Sequence, residues 1–308
     1  MRTYAYYADL GPRTRVLNAF RSVFRIKALE KWLRKRTDGR PTTSLWVRLL
    51  PPEYTYPKGS NRTFHRNGLD HELDISNTTD HAAYFGYTDE GFDHLYELIE
   101  PNQTIVDIGG NIGIRAMAFS RLVPNGRVYT FEPDPDNYAR LSRHVTINGL
   151  SNIEAIRCGI GNEVASHKLY RVVSSNSGMN RIITQGTGHE HLPYHEIQVM
   201  PLCQALSGKN VDRVDVIKID VEGFEGSVLG GCADIIARDR PLIFVELDDD
   251  NLKENGRSAR SLVTQIEDMG YNVMDASRRS PVLPMTDLSH CHIDILCTHK
   301  QGSASPHL

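Results

Sequence analysis

No run of about 18 apolar residues occurs in the 308-residue sequence, so no segment reads as a membrane-spanning helix. The first residues, with Arg2, Tyr4, Tyr6 and Asp9, lack the apolar core of a secretory leader. Cysteine is sparse and unpatterned. Cys158, Cys203, Cys232, Cys291 and Cys297 are odd in number and include no Cys-x-x-Cys pair, which argues against a disulfide framework or a zinc site and reads as scattered thiols in a reducing compartment. A large excess of charge of one sign is also missing. With a formal net charge of -3 the chain has no global attraction to nucleic acid, and any basic partner surface has to be local. No internal repeat is present. Together these absences lead us to expect a cytoplasmic globular protein, in which the Asn-x-Thr sequons at Asn61, Asn77 and Asn102 carry no weight.

What is present, with 40% hydrophobic residues, is enough for one large α/β domain with an extension. The chain is organised around residues 105–113, Ile-Val-Asp-Ile-Gly-Gly-Asn-Ile-Gly. Ile105, Val106 and Ile108 make a short buried strand, Gly109 and Gly110 allow torsions closed to other residues, and Asn111 is placed to cap a helix starting at Ile112. A strand, turn and helix of this kind aims backbone N–H groups and a positive helix end into a crevice at the carboxyl edge of a parallel sheet. The turn is not a dinucleotide fingerprint. Read from Gly109, the Gly-x-Gly-x-x-Gly pattern meets Asn111 and Ile114, and read towards Gly110 and Gly113 it meets Ile108. Asp107 at the strand tip is poorly suited to a pyrophosphate and well suited to an ammonium group. Glu132, at the tip of the next strand, can accept from both hydroxyls of a ribose. An ammonium, a sulfonium and a ribose diol without phosphate describe S-adenosylmethionine, whereas either acid alone would read as a helix cap.

Before this motif, residues 13–36 read as a helix whose apolar positions, from Val16, Leu17 and Phe20 to Trp32 and Leu33, recur at three and four. Its other face is basic, with Glu30 the only acid. It fits either a helix lying on an anionic membrane, which would make the protein peripheral, or a stripe docked on its own domain or a second subunit. Residues 45–50 and 62–75 have β character, with Asn67-Gly68 as the hairpin turn, and form a flap. Thr88 and Asp89 open a helix that Pro101 stops. After the motif, helix and strand alternate, which implies a parallel sheet with helices on both faces. Between residues 161 and 202 the alternation lapses into a polar segment, read as a substrate wall. Ser177, Gly178 and Asn180 are its hydroxyl-binding candidates. His189, His191 and His195 could gather a metal, but in a polar, proline-interrupted loop mobile surface groups are the preferred reading and a substrate-side base an intermediate one, with His189 assigned to the acceptor. The expected divisions are a basic extension at 1–40, the flap at 41–85, a main domain at 86–300 and a disordered tail at 301–308.

Acids recur at strand tips: Asp107, Glu132, Asp220 and Glu246 converge on one edge if the sheet is parallel, and Glu222 follows Asp220 by two residues. Buried acids that share a crevice raise one another's pKa, which makes a base near neutrality. The ordered motifs Val106-Asp-Ile-Gly-Gly-Asn-Ile-Gly113, Phe131-Glu-Pro-Asp134, Asn148-Gly-Leu150 and Ile217-Lys-Ile-Asp-Val-Glu-Gly-Phe-Glu225 resemble the FkbM family of S-adenosylmethionine-dependent methyltransferases.

The resemblance implies a class I methyltransferase fold, a seven-stranded sheet with its last strand antiparallel, and O-methylation of a hydroxylated small molecule or glycan. It implies a cofactor site of Asp107, Gly109, Gly110, Asn111, Gly113, Glu132, Pro133, Cys158, Gly159 and Asp220. Lys218, Asp220, Glu222 and Gly223 belong to its second signature. The catalytic candidates are Asp220 and Glu222, then Glu246. No resident metal is assigned, although Asp220, Glu222 and the acids at 248–250 could hold magnesium; a solvated loop is the preferred reading of that run. The chain departs from the family pattern at Pro201-Leu202-Cys203, where Thr-Leu-Asp is frequent, and at Glu246-Leu-Asp248, where Glu-x-His is frequent. Nitrogen methylation and a non-catalytic scaffold are the alternatives. The sequence does not fix the oligomeric state.

Overall fold

Proline at the first helical position starts the chain's first helix, Pro12–Arg21, and the 3-10 turn Ser22–Arg25 separates it from Lys27–Thr37. The single helix expected over residues 13–36 is therefore two. In one unbroken helix Asn18 and Glu30 would point roughly 120° apart at 3.6 residues per turn. The break, with Ile26 extended at ψ 123°, lets both be buried with Leu33 and Thr37. The computed structural model describes residues 11–87, 90–173, 176–185, 189 and 191–300. Thr88, Asp89 and the tail from Gln301 lie outside these described residues, as do Gly186, Thr187, Gly188 and Glu190 within the segment read as a wall. Two units are distinguished, Met1–Glu90 with Val172–Met179, and Gly91–Arg171 with Asn180–Leu308.

In the first unit β1 (Asn61–Arg66) and β2 (Leu69–Asp74) pair antiparallel about Asn67 and Gly68, whose φ values of 52° and 75° are those a two-residue hairpin turn requires. Glu30 anchors the second helix to this hairpin. Its carboxylate accepts from Arg62 Nε and Nη2 at 2.7 and 2.9 Å and from the Tyr84 hydroxyl at 3.0 Å. Residues 45–50, expected as strand, contain the one-turn helix Leu45–Arg48. Leu45, Trp46, Leu49 and Leu50 have helical spacing, and Trp46 meets Trp32 edge to face at 5.5 Å.

The second unit is built on eight strands: β3 (Thr104–Ile108), β4 (Arg127–Phe131), β5 (Ile153–Ile156), and, after four strands of a separate sheet, β10 (Val216–Ile219), β11 (Leu242–Asp248), β12 (Tyr271–Asp275), β13 (Ser280–Pro281) and β14 (His292–His299). Their order is β13-β12-β14-β11-β10-β3-β4-β5. Neighbours from β11 to β5 are parallel, and β14 runs antiparallel between β11 and β12. All of β10 is buried, the pattern of a parallel strand covered on both faces. The chain moves outward from β3 to β5 and then restarts on the other side at β10. This makes β3 and β10 the switch point, where such sheets open a ligand crevice.

The polar segment after residue 161 is not a loop throughout. β6 (Gly159–Ile160), β7 (Ala165–Tyr170), β8 (Arg181–Ile182) and β9 (Tyr194–Met200) form a four-stranded sheet in the order β6-β9-β7-β8. Only Ile197 and Val199 of β9 are buried, so polar residues alternate with two apolar ones and mask the strand pattern.

Candidate active site

Register places the central groups. Lys218 on β10 is directly opposite Asp107 on β3. Both are buried, with Lys218 Nζ 3.3 Å from Asp107 Oδ1, 3.4 Å from Asp220 Oδ2 and donating to the Gly109 carbonyl at 2.8 Å. Burial pulls this ammonium down, but Asp220 and Asp107 more than offset it and hold its pKa above the ordinary lysine value. The cation beside Asp107 is thus the chain's own. The free contact expected between Asp107 and a ligand ammonium is replaced by an internal ion pair, and the second oxygen of Asp107 accepts from Thr130 Oγ1 at 2.9 Å.

The glycine turn is moulded onto β10. A Cβ on Gly109, which has φ 83°, would stand 1.8 Å from the Asp220 carbonyl oxygen. Gly109→Ala is therefore expected to lose about 3 kcal/mol or more, from left-handed backbone strain of ~1–2 kcal/mol together with overpacking. Gly149→Ala, at φ 59° with nothing within 4 Å, should lose only about 1 kcal/mol. Urea unfolding of the two variants compares them; equal losses would show that the turn yields. Asn111 does not cap the following helix, Ile114–Leu122, whose cap position is Gly113 at φ 89°. Asn111 is itself left-handed at φ 48°, and its N–H donates to Glu132 Oε2 at 2.7 Å. Its amide oxygen is buried without a hydrogen-bond partner.

Glu132 joins two loops, since its other oxygen accepts from the Asp134 N–H at 2.8 Å. Burial pushes its carboxyl up to about 8, against the two N–H groups that lower it. Asp134, not Glu132, caps the helix Pro135–Ile147, and its free oxygen accepts from Asn180 Nδ2 at 2.8 Å. Pro133 follows Glu132 half-buried, and Cys158 and Gly159 are buried just beyond β5.

Asp220, Glu222 and Glu246 come together at the ends of β10 and β11, with one oxygen from each within 4.8 Å of the others. Glu222 has φ 56° and accepts from Asn251 Nδ2 at 2.7 Å. Burial first, then the charge of Asp220, push its carboxyl up to about 8. The same causes raise Glu246 well above the usual carboxylate range, and its Oε2 is buried without a hydrogen-bond partner. Glu225 supports the turn, accepting from the Gly223 N–H at 2.9 Å.

Asn251 and Arg181 carry no local signal that marks them as site residues. Buried Arg181 donates to Asn251 Oδ1 and pairs with Glu254 at 3.3 Å, so that Asn251 is held against Glu222 from behind. The acids at 248–250, expected as a solvated loop, are largely occupied. Asp248 caps Asp249–Lys253, and buried Asp249 accepts from the Ala259 and His290 N–H groups. In place of the family's Glu-x-His, an imidazole arrives from β14. His292 Nδ1 is 3.0 Å from Asp248, and its Nε2 is 3.7 Å from Glu246.

The three histidines do not gather. His189 meets the Tyr170 ring edge-on at 4.8 Å, His191 is exposed, and His195 Nε2 lies 2.6 Å from Arg171 Nη2. Ser177 opens a one-turn helix of the first unit.

The sheet order with its antiparallel β14 and a glycine turn at the switch point define a class I methyltransferase fold. Residues 107–273, more than half of the chain, match the Methyltransferase FkbM domain, and the chain belongs to that family. It is 32% identical over 145 residues to Methyltransferase 1 of Beauveria bassiana, covering 42% of this chain and 58% of that protein. To the hexuronic acid methyltransferase AglP of Haloferax volcanii it is 26% identical over 137 residues, covering 44% and 53%. The chain thus spans a little over half the length of these relatives. The crystal structure of Methyltransferase FkbM from Methylobacillus flagellatus KT aligns with a TM-score of 0.42 at 19% identity, covering 64% of this chain and 44% of that one.

Proposed function

We propose that the chain transfers a methyl group from S-adenosylmethionine to a hydroxyl of a small molecule or glycan. The observation that carries this reading is the meeting of Asp220, Glu222 and Glu246 beside the glycine turn, with Glu222 held near 8. The crevice suits a cationic, phosphate-free cofactor. Its tips bear carboxylates, and the bordering cations Lys218 and Arg181 are already engaged by Asp107, Asp220, Asn251 and Glu254. The buried Asn111 amide oxygen adds an acceptor without a donor.

Gly109, Gly110, Asn111, Gly113 and Glu132 would hold the cofactor, bordered by Pro133, Cys158, Gly159 and Asp220. When bound, it supplies an electrophilic methyl on a sulfonium. Glu222 takes the hydroxyl proton at Oε1, because Asn251 occupies Oε2. Asp220, tethered by Lys218, and Glu246 orient the acceptor. In-line displacement rewards such alignment above all.

The relative named as a hexuronic acid methyltransferase favours a sugar acceptor. Asn180 and His189, on or beside the four-stranded sheet, are its candidate contacts. Methylation of a nucleic acid base is disfavoured, since Asp220-Val-Glu-Gly223 stands where amino-methylating enzymes carry Asn/Asp-Pro-Pro-aromatic. A second reading lets Asp220, Glu222 and Glu246 share a magnesium ion, for which an all-oxygen set is suited.

Calorimetry is expected to show heat with S-adenosylmethionine or its demethylated product and none with a dinucleotide, and uronic acid glycosides should release the demethylated product. Tight dinucleotide binding without cofactor heat would overturn the proposal. Loss of turnover in chelator, restored by magnesium, would select the second reading; turnover unchanged in chelator would discard it.

A further inference from the structure

The first unit carries a surface that methyl transfer leaves unexplained. Its two amino-terminal helices bury Asn18, Glu30, Leu33 and Thr37, yet Val16, Phe20, Val23 and Ile26 remain 50% to 72% exposed. Grouped apolar side chains of this size are costly in water and mark a contact surface. Around them Arg13, Arg15, Arg25, Lys27, Lys31 and Lys35 are exposed. Glu30, the only acid between residues 13 and 36, is buried against Arg62, so this segment itself presents no exposed carboxylate. Because the whole chain has a net charge of -3, the remainder is acidic.

We propose that this face docks on an anionic lipid bilayer, with the apolar side chains entering the acyl boundary and the cations meeting headgroup phosphates. The local positive charge draws this face towards an anionic surface although the chain as a whole is slightly acidic. Trp32, half-exposed and with the Arg36 guanidinium 5.5 Å from its ring, has the apolar body and polar rim that suit the interface. A cleft of about 350 Å³, lined by Ser22, Arg25, Ile26, Tyr56 and Arg62 among others, offers room for one headgroup. Nucleic acid would satisfy the cations and leave Val16, Phe20, Val23 and Ile26 in water. A second copy would set cation against cation.

The test is flotation of the full chain with phosphatidylcholine vesicles, with and without phosphatidylserine. Binding is expected only with the anionic lipid and should weaken as salt rises. Phe20→Ser combined with Val23→Ser should weaken it about tenfold or more, and Lys27→Glu with Lys31→Glu should do the same, with melting temperatures unchanged because all four side chains are exposed or half-exposed at the surface. No binding to either vesicle, or equal binding to both, overturns the proposal. So does concentration-dependent self-association that the Phe20→Ser, Val23→Ser variant abolishes.

Discussion

Replacing Lys218 with methionine is expected to cost about 3–5 kcal/mol of folding stability, read from urea or thermal unfolding. The ammonium is buried between Asp107 Oδ1 at 3.3 Å and Asp220 Oδ2 at 3.4 Å, so its removal strands the buried carboxylate of Asp107 without its counter-charge. It also frees the Gly109 carbonyl and the tether on Asp220. Adding Asp107→Asn to the variant removes the stranded charge and should recover part of the loss, since a buried pair is dearest when only one member goes. Wild-type stability in the single variant would mean that Asp107 and Lys218 are not charged partners.

Glu222→Gln is expected to lower turnover about 10²–10⁴-fold, the usual contribution of a positioned base. Asp220→Asn should act in the same direction, and in Glu222→Gln, which lies outside the cofactor set, the cofactor's dissociation constant should change little. In the parent enzyme turnover should climb as pH rises through about 8, where Glu222 loses its proton, and that limb should vanish in Glu222→Gln. Stability moves oppositely. Between the ordinary carboxyl value of 4.5 and about 8, the folded chain keeps a proton that the unfolded chain has released, so stability falls with rising pH across this window. Glu222→Gln should flatten that part of the fall. Full activity in both variants would remove both residues from the chemistry.

Much of this arrangement was legible in the sequence because strand tips are marked by local chemistry. Short β-branched runs ending in Asp107, Glu132, Asp220 and Glu246 carry their own signal, and the Asn67-Gly68 turn fixes its hairpin. What was hidden depends on neighbours distant in sequence. Lys218 and Asp220 share a side of β10 by the strand period, but that Asp107 lies opposite follows only from the strand order. Asn111 has the composition of a helix cap and is instead held left-handed by Glu132. The four-stranded sheet escaped notice because too few of its residues are buried to show a period, and Arg181 and Asn251 meet across 70 positions.

The restart of the sheet beside β3 has a temporal consequence. Ile108 and Lys218 are 110 residues apart, so the pocket's floor arrives long after its rim has been synthesised. A nascent chain displaying the glycine turn has neither the Asp220 carbonyl to brace it nor an ammonium to balance Asp107. A cofactor held as proposed would therefore be captured only after β10 and β11 have emerged, once this long loop has closed.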